Sequence, residues 1–354
     1  MNATTKRWVG YFGYPVIYLG MLAIFARVTF PYERVKERLV AEFNAKQAAS
    51  GLRLDIEEMS GRYLFGVEAE NVKLTRTPPI DPMSFGSTVE EQKPKVTVID
   101  ELYGSISVWR LLFGRVAGSF GATMQAGEIE GDFSSSDAEQ SLAVKLSQVA
   151  VGDIPMISDL AGLPLKGLVD GEIDVTLPEK LPTKAEGKVT LTMDGISAGD
   201  GKAKVLKVIA LPELKVGTVK VAATITEGKV KLDTVSAKGA DFEMIMDGNV
   251  RLREPIGSSL LDMGMRFRFL DSYKNKNDIT KGLFGSNGVP GLFEMDEKVR
   301  RAKREDGFYG WRVVGTMEKP LVEPNPSGTA STGRASVRGA ATHRNAKSPT
   351  PNGL

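Results

Sequence analysis

In segment after segment between Leu52 and Met317, apolar side chains recur at every second position, and no other feature limits the fold so tightly. Leu52, Leu54 and Ile56 alternate with charges. So do Ile173, Val175 and Leu177 in GEIDVTL, Val189, Leu191 and Met193 in KVTLTM, and the run Val219, Val221, Ala223 and Ile225. Val230 with Leu232, then Met263, Met265, Phe267 and Phe269 in MGMRFRF, continue the pattern. Successive side chains of a strand point to opposite faces, so a period of two specifies a sheet with one dry face and one wet face. A parallel α/β core would show continuous apolar strands separated by helices, and no such pattern is visible. Breaks at Asp170-Gly171, Glu186-Gly187, Asp194-Gly195, Glu227-Gly228 and Asp247-Gly248 carry hairpin chemistry. The expected fold is therefore mainly β, one long, curved, antiparallel meander with a few short helices. Its units (GEIEGDF, EGKVTLTMDG, EGKVKLDTV) are similar but irregular in period, which is architecture rather than duplication.

The chain begins differently. Trp8 to Ala26 is an uncharged run of 19 residues, enough to cross a bilayer core of about 30 Å at roughly 1.5 Å per residue. It is long for the apolar core of a signal peptide, and cleavage after Ala23 or Ala26 would put Met21 or Ile24 at a position that wants a small residue. Residues 1–30 therefore read as a short cytoplasmic tail and one transmembrane helix. Basic residues on both sides leave the orientation undecided, but a long domain translocates largely regardless of charge, which favours a body outside the cytoplasm. The absence of cysteine fits an oxidising compartment and removes thiol chemistry.

Residues 31–50 read as a juxtamembrane helix, with Pro31 at its start and Val35, Leu39, Val40 and Phe43 at helical spacing. It is expected as a stalk or as the first helix packed on the body, with a partner-helix docking site as the alternative. Short helical pieces at Val108–Phe113 and Pro155–Leu163 are expected to cap ends of the sheet. Residues 271–306 form a charged insertion in which Lys298, Arg300, Arg301, Lys303 and Arg304 are balanced by neighbouring acids, so a solvated loop or short helix is expected. Residues 323–354, rich in Pro, Gly, Ser and Thr, are expected to be a disordered tail, leaving 51–322 as one β-rich domain.

The chemistry-bearing residues argue by exclusion. The single histidine, His343, lies in the tail, so no Ser-His-Asp triad or histidine zinc site is expected. The match Gly195-Ile196-Ser197-Ala198-Gly199 to a nucleophile elbow lacks its histidine and reads as a hairpin loop. No phosphate-binding, dinucleotide or calcium loop is present. The pairs Glu57-Glu58 and Glu90-Glu91 are adjacent in sequence and so would point to opposite faces of a strand. With 46 basic and 44 acidic residues there is no basic stripe for nucleic acid. The expectation is a chain without enzymatic activity, cofactor or metal.

Three segments carry a resemblance to a known family: the anchor followed by Pro31-Tyr32-Glu33-Arg34, the stretch IPMISDLAGLPLKGLVDGEIDVTLP (Ile154 to Pro178), and GFYGWRVVGTMEKP (Gly307 to Pro320). They resemble protein N of the bacterial type II secretion system, in the form found in deltaproteobacteria and spirochaetes, over residues 1–322. The short glycine-punctuated strands are shared with the wider AsmA-like group of envelope proteins. The resemblance implies a single-pass inner-membrane protein with its bulk in the periplasm, an accessory to export of folded proteins, with other secretion components as partners. On that reading Phe308, Tyr309 and Trp311 are candidate partner contacts, with burial the alternative for Trp311. The AsmA-like resemblance implies instead a face that binds or transfers phospholipid. Its candidate strip is Ile173, Val175, Leu177, Val189, Leu191, Phe267 and Phe269. An open groove and a covered core require the same alternation.

Overall fold

The computed structural model describes residues 27–48, 51–63, 65–77, 95–153, 164–199, 212–286 and 289–326, the pieces 204–205 and 209–210, and isolated positions between 14 and 25. The strands β1 (Leu52–Arg62), β2 (Gly66–Arg76), β3 (Lys95–Ile106), β4 (Val116–Met124), β5 (Gly127–Ser135), β6 (Glu139–Ala150), β7 (Leu165–Pro178) and β8 (Glu186–Ala198) follow one another up and down. Two-residue strands β9 (Lys204–Val205) and β10 (Ile209–Ala210) pair with each other. The meander then resumes as β11 (Leu214–Thr226), β12 (Lys229–Lys238), β13 (Phe242–Arg251) and β14 (Leu260–Phe269). A second small pair, β15 (Gly285–Ser286) and β16 (Val289–Pro290), precedes β17 (Tyr309–Thr316) and β18 (Pro320–Pro324). The long strands form one antiparallel sheet of 14, each beside its neighbour in sequence. The single antiparallel meander expected from the alternation is what forms.

The turns are less faithful to expectation. Glu227 and Gly228, at φ 48° and 68°, make the two-residue β11–β12 turn, as left-handed central positions require. The other four acid-glycine pairs fall inside strands. Gly248 sits at φ 133° in β13 beside a slip in register between Leu232 and Val235 of β12, the bulge role that glycine takes within strands. The actual reversals use segments such as Ser136–Ala138 and Glu179–Ala185 instead.

Helix α1 (Tyr32–Gln47) packs along β1. Tyr32, Val35 and Val40 meet Ile56, Met59, Ala69 and Val72, whereas Leu39, expected on the same stripe, faces outward. The helix also occupies the sheet edge. Asn44 Nδ2 donates to the Leu54 carbonyl at 3.1 Å and its Oδ1 accepts the Leu54 amide at 2.7 Å, and Lys36 Nζ donates to the Glu57 carbonyl at 3.1 Å. Backbone groups that would otherwise invite another strand are thereby satisfied.

Helix α2 (Val108–Leu112) joins β3 to β4. The 271–306 insertion folds as α3 (Asp271–Lys274), α4 (Asp278–Phe284), a 3-10 turn at Leu292–Met295 and α5 (Glu297–Ala302). The charged segment thus forms the short helix, one of the two expectations for it, and the described part of the insertion is an ordered cap. The body also runs past residue 322, since β18 ends at Pro324 and the Asn325 amide donates to the Gly310 carbonyl at 2.8 Å. Most of the anchor run, the Pro155–Leu163 piece, Glu90-Glu91 and the tail from residue 327 lie outside the described residues. The positions described between 14 and 25 are helical, and among the described residues no helix is long and apolar enough to cross a membrane.

Candidate functional site

Directly paired residues of an antiparallel sheet share a face, and here the pairing builds rows that cross the whole molecule. One row crosses all 14 strands: Met59, Ala69, Leu102, Ala122, Ile129, Leu146, Gly171, Leu191, Val221, Val235, Met246, Met265, Trp311 and Pro324. Two residues along, a second row from Gly61 to Val322 includes Phe120, Gly131, Val144, Ile173, Val189, Ala223, Leu232 and Met263. Flanking rows run through Ile106, Phe133, Leu142, Val175, Ile225, Val250 and Leu261 on one side, and through Val149, Val169, Met193, Val219, Met244 and Phe267 on the other. The opposite face is wet: Asp174, Lys188, Thr224, Lys231, Asn249 and Asp262 form one of its rows. Ion pairs Arg312–Asp262 at 2.9 Å and Arg268–Glu243 at 2.6 Å cross it.

The apolar face follows from sequence chemistry at each crossing. Where a large ring must lie flat, the partner is glycine: the Phe120 ring occupies the space a side chain at Gly131 would need. Such ring-over-glycine pairs pin register. At about 4.8 Å per strand the face extends roughly 60 Å across the sheet, and four rows give it a width of about 20 Å.

Cover over this face is uneven. Val149 and Val169, 0% and 2% exposed, close with Met124, Val151 and Ile196 into a core at one margin. Ile173, Val175, Leu177, Val189 and Leu191 are only half-buried. Cross-strand neighbours shield their flanks, and among the described residues no second sheet lies over them while α1 and the cap sit at the two ends.

Phe269 differs from the rest of the expected strip because the rings of the cap pack on it, while Phe267 lies beside it against Tyr309 and Phe242 of the sheet. Ring centroids place Phe269 4.8 Å from Phe284, 5.8 Å from Phe293 and 5.8 Å from Tyr273, and Phe293 5.2 Å from Tyr309. Polar ties fasten the cap. Tyr273 Oη donates to the Pro212 carbonyl at 3.0 Å, Tyr309 Oη to Glu294 Oε1 at 2.8 Å, and Lys303 pairs with Glu294 at 2.7 Å. Burial, with the Asp241 charge added, pushes the Tyr273 hydroxyl up to about 12. Burial works against ionised Asp241, but the Lys215 amide at 3.0 Å and Lys276 at 3.2 Å outweigh it and hold the carboxyl below its ordinary value. Glu294 is likewise depressed, burial being overcome by Lys303 and Tyr309.

The three candidate partner contacts are separated by the fold. Phe308 lies on the polar face under Arg268, 4.6 Å from the guanidinium, Tyr309 is buried beneath the cap, and Trp311 is half-buried in the first apolar row with its Nε1 unpaired. They form no single patch. Ser197, expected in a loop, lies within β8 next to its last residue and donates to Glu213 Oε1 at 2.7 Å. Among the described residues no group of three acidic or histidine side chains could hold a metal ion. Sequence reasoning missed an exposed apolar cluster, Tyr63 and Phe65 with Trp109, Leu111, Leu112 and Phe113. Its signal was a five-residue helix apolar on every side but one, too short for periodicity to assign.

Compared with protein-family models, with curated proteins and with solved structures, the chain matches none.

Proposed function

We propose that this chain is a non-enzymatic, membrane-anchored envelope protein that holds lipid acyl chains against the apolar face of its sheet. On this reading it acts at the inner membrane with its body in the periplasm, as an accessory of the secretion machinery whose protein N it resembles. The observation that carries the lipid reading is the row of apolar residues unbroken across 14 strands, with half-buried side chains at its centre and no second layer among the described residues. Contiguous exposed apolar surface marks binding surfaces. An acyl chain of one leaflet spans roughly 15 Å, half the bilayer core, so a face about 60 Å long has room for several.

Site-specific photo-crosslinking in cells tests the lipid reading. A photoreactive residue at Ile173 or Val189 is expected to capture phospholipid, whereas one at Asp174 or Lys188 on the opposite face is not. Equal adducts on both faces, or none on either, would refute it.

A further inference from the structure

The sheet end that carries the β1–β2 tip and the β3–β4 connection has a surface unlike the rest. Tyr63, Trp109, Leu112 and Phe113 are 77%, 77%, 71% and 84% exposed, and Phe65 is exposed beside them. Single exposed apolar residues are ordinary, but a cluster on two touching connections is not. The connections do touch: the Ile106 amide donates to the Phe65 carbonyl at 3.1 Å. Helix α2 has no buried residue, so packing on the body does not account for its tryptophan and two leucines. Arg110 and Arg115 are exposed in the same connection.

A second, independent observation concerns where the anchor run meets the body. Arg27, the residue after the uncharged run, donates to the carbonyls of Gly61, at 2.7 Å, and Tyr63. The Tyr32 hydroxyl lies over Gly61, where a side chain would otherwise stand. The end of the run is thus fastened to the same hairpin tip that carries Tyr63 and Phe65. Ile17, Met21 and Phe25, within the run, are helical and exposed.

We infer that this end of the sheet is a membrane-docking surface, with Trp109, Leu112, Phe113, Tyr63 and Phe65 seated in the interface of the bilayer that holds the anchor, in a leaflet containing anionic lipid. Tyr63 and Trp109, each with an apolar body and one polar edge, suit headgroup depth, and Phe65, Leu112 and Phe113 supply apolar surface beside them. Arg110 and Arg115 supply cations for lipid phosphate. The occupant is the lipid surface because the anchor brings that surface to this tip whatever else is bound. Docking would also orient the apolar face. Its row nearest this end begins at Ile106, itself exposed, so the mouth of the face would open beside the acyl chains.

This inference rests on the anchored, acyl-binding reading, and one preparation separates the two. The full-length chain with Trp8→Phe and Trp311→Phe keeps Trp109 as sole tryptophan, and Trp311 gives up no hydrogen bond in the exchange. In vesicles of phosphatidylethanolamine and phosphatidylglycerol, Trp109 emission is expected to shift to the blue, to be quenched by lipids brominated on their acyl chains and to be shielded from aqueous acrylamide. Arg110→Glu with Arg115→Glu should reduce that shielding. Water-like emission with full acrylamide quenching would overturn the inference. So would shielding seen in native membranes but absent from the vesicles, which would assign the surface to a protein partner. Crosslinking at Val189 in the same vesicles reads the acyl site: adducts with a water-exposed Trp109 sink the docking alone, and a lipid-shielded Trp109 without adducts sinks the acyl site alone.

Discussion

Replacing Val189 by Asp separates an open face from a covered core, because the two arrangements price the same charge differently. Val189 is half-buried in the middle of the apolar face, paired with Ile173 and Ala223. Aspartate is close to valine in shape, so no cavity of note is left. On an open face the change forfeits burial of two methyl groups, about 1–1.5 kcal/mol at about 0.8 kcal/mol per group, and up to about 1 kcal/mol of strand preference. The carboxylate remains hydrated, giving a total of about 1–2.5 kcal/mol. Under a covering layer the unpaired ion would add several kcal/mol. That sum approaches the whole stability of a typical domain, about 5–15 kcal/mol. Urea unfolding of full-length protein in detergent should therefore show a lowered midpoint with an unchanged slope, and native mass spectrometry should show loss of bound phospholipid. A variant that fails to fold would refute the open face, and a folded variant that keeps its lipid would refute the acyl site.

The cap should respond to pH at both extremes. Asp241 and Glu294 are held below their ordinary values, so their contribution is present at neutral pH and is lost as pH falls below about 4. Tyr273, raised from 10.0 to about 12, contributes below pH 10 and loses on the order of 3 kcal/mol as pH rises toward its folded value. Hydrogen exchange should show residues 271–302 opening before β7 and β8 in either direction, and uniform opening of cap and sheet would contradict the assignment. For the secretion role, deleting the gene in frame should remove a set of folded enzymes from the medium and retain them in the periplasm, while an unchanged secretome would exclude it.

The sheet was legible because its information is local. Alternation in Val189-Leu191-Met193 or Met263-Met265-Phe267 states which side chains share a face, and every such run became a strand. Register was not legible, because it depends on which strand lies alongside. The same limit explains the misread glycines. Gly171 and Gly248 follow aspartate like turn glycines, yet their neighbours across the sheet, Leu191 and the backbone of Asp262, fill the space that a side chain would take. A close approach between distant segments leaves a mark identical to that of a local turn. The cap escaped notice for a related reason: Tyr273, Phe284 and Phe293 are scattered among charges with no period, and only the ring of Phe269 gathers them.

A single layer of this kind has an energetic consequence. In a sandwich, each apolar face is buried by the other sheet. Here α1 closes one end and the cap closes the other, while the half-buried centre, from Ile173 to Leu232, gains shielding chiefly from cross-strand neighbours. Open twisted sheets of more than about ten strands tend to curl, split or flatten, and curling toward the apolar side would bring those rows closer without closing them. At about 25 cal/mol per Å² of apolar surface removed from water, an acyl chain laid along the rows would stabilise the body as it bound. On the acyl-binding reading proposed above, ligand and fold would be coupled, with lipid acting as the layer that the described residues do not form over the centre of the face. Protein kept in lipid should unfold at higher denaturant than protein stripped by detergent, and the increment should shrink for Val189→Asp. Such an increment, if unchanged in the variant, would trace the stabilisation to the anchor rather than to the sheet.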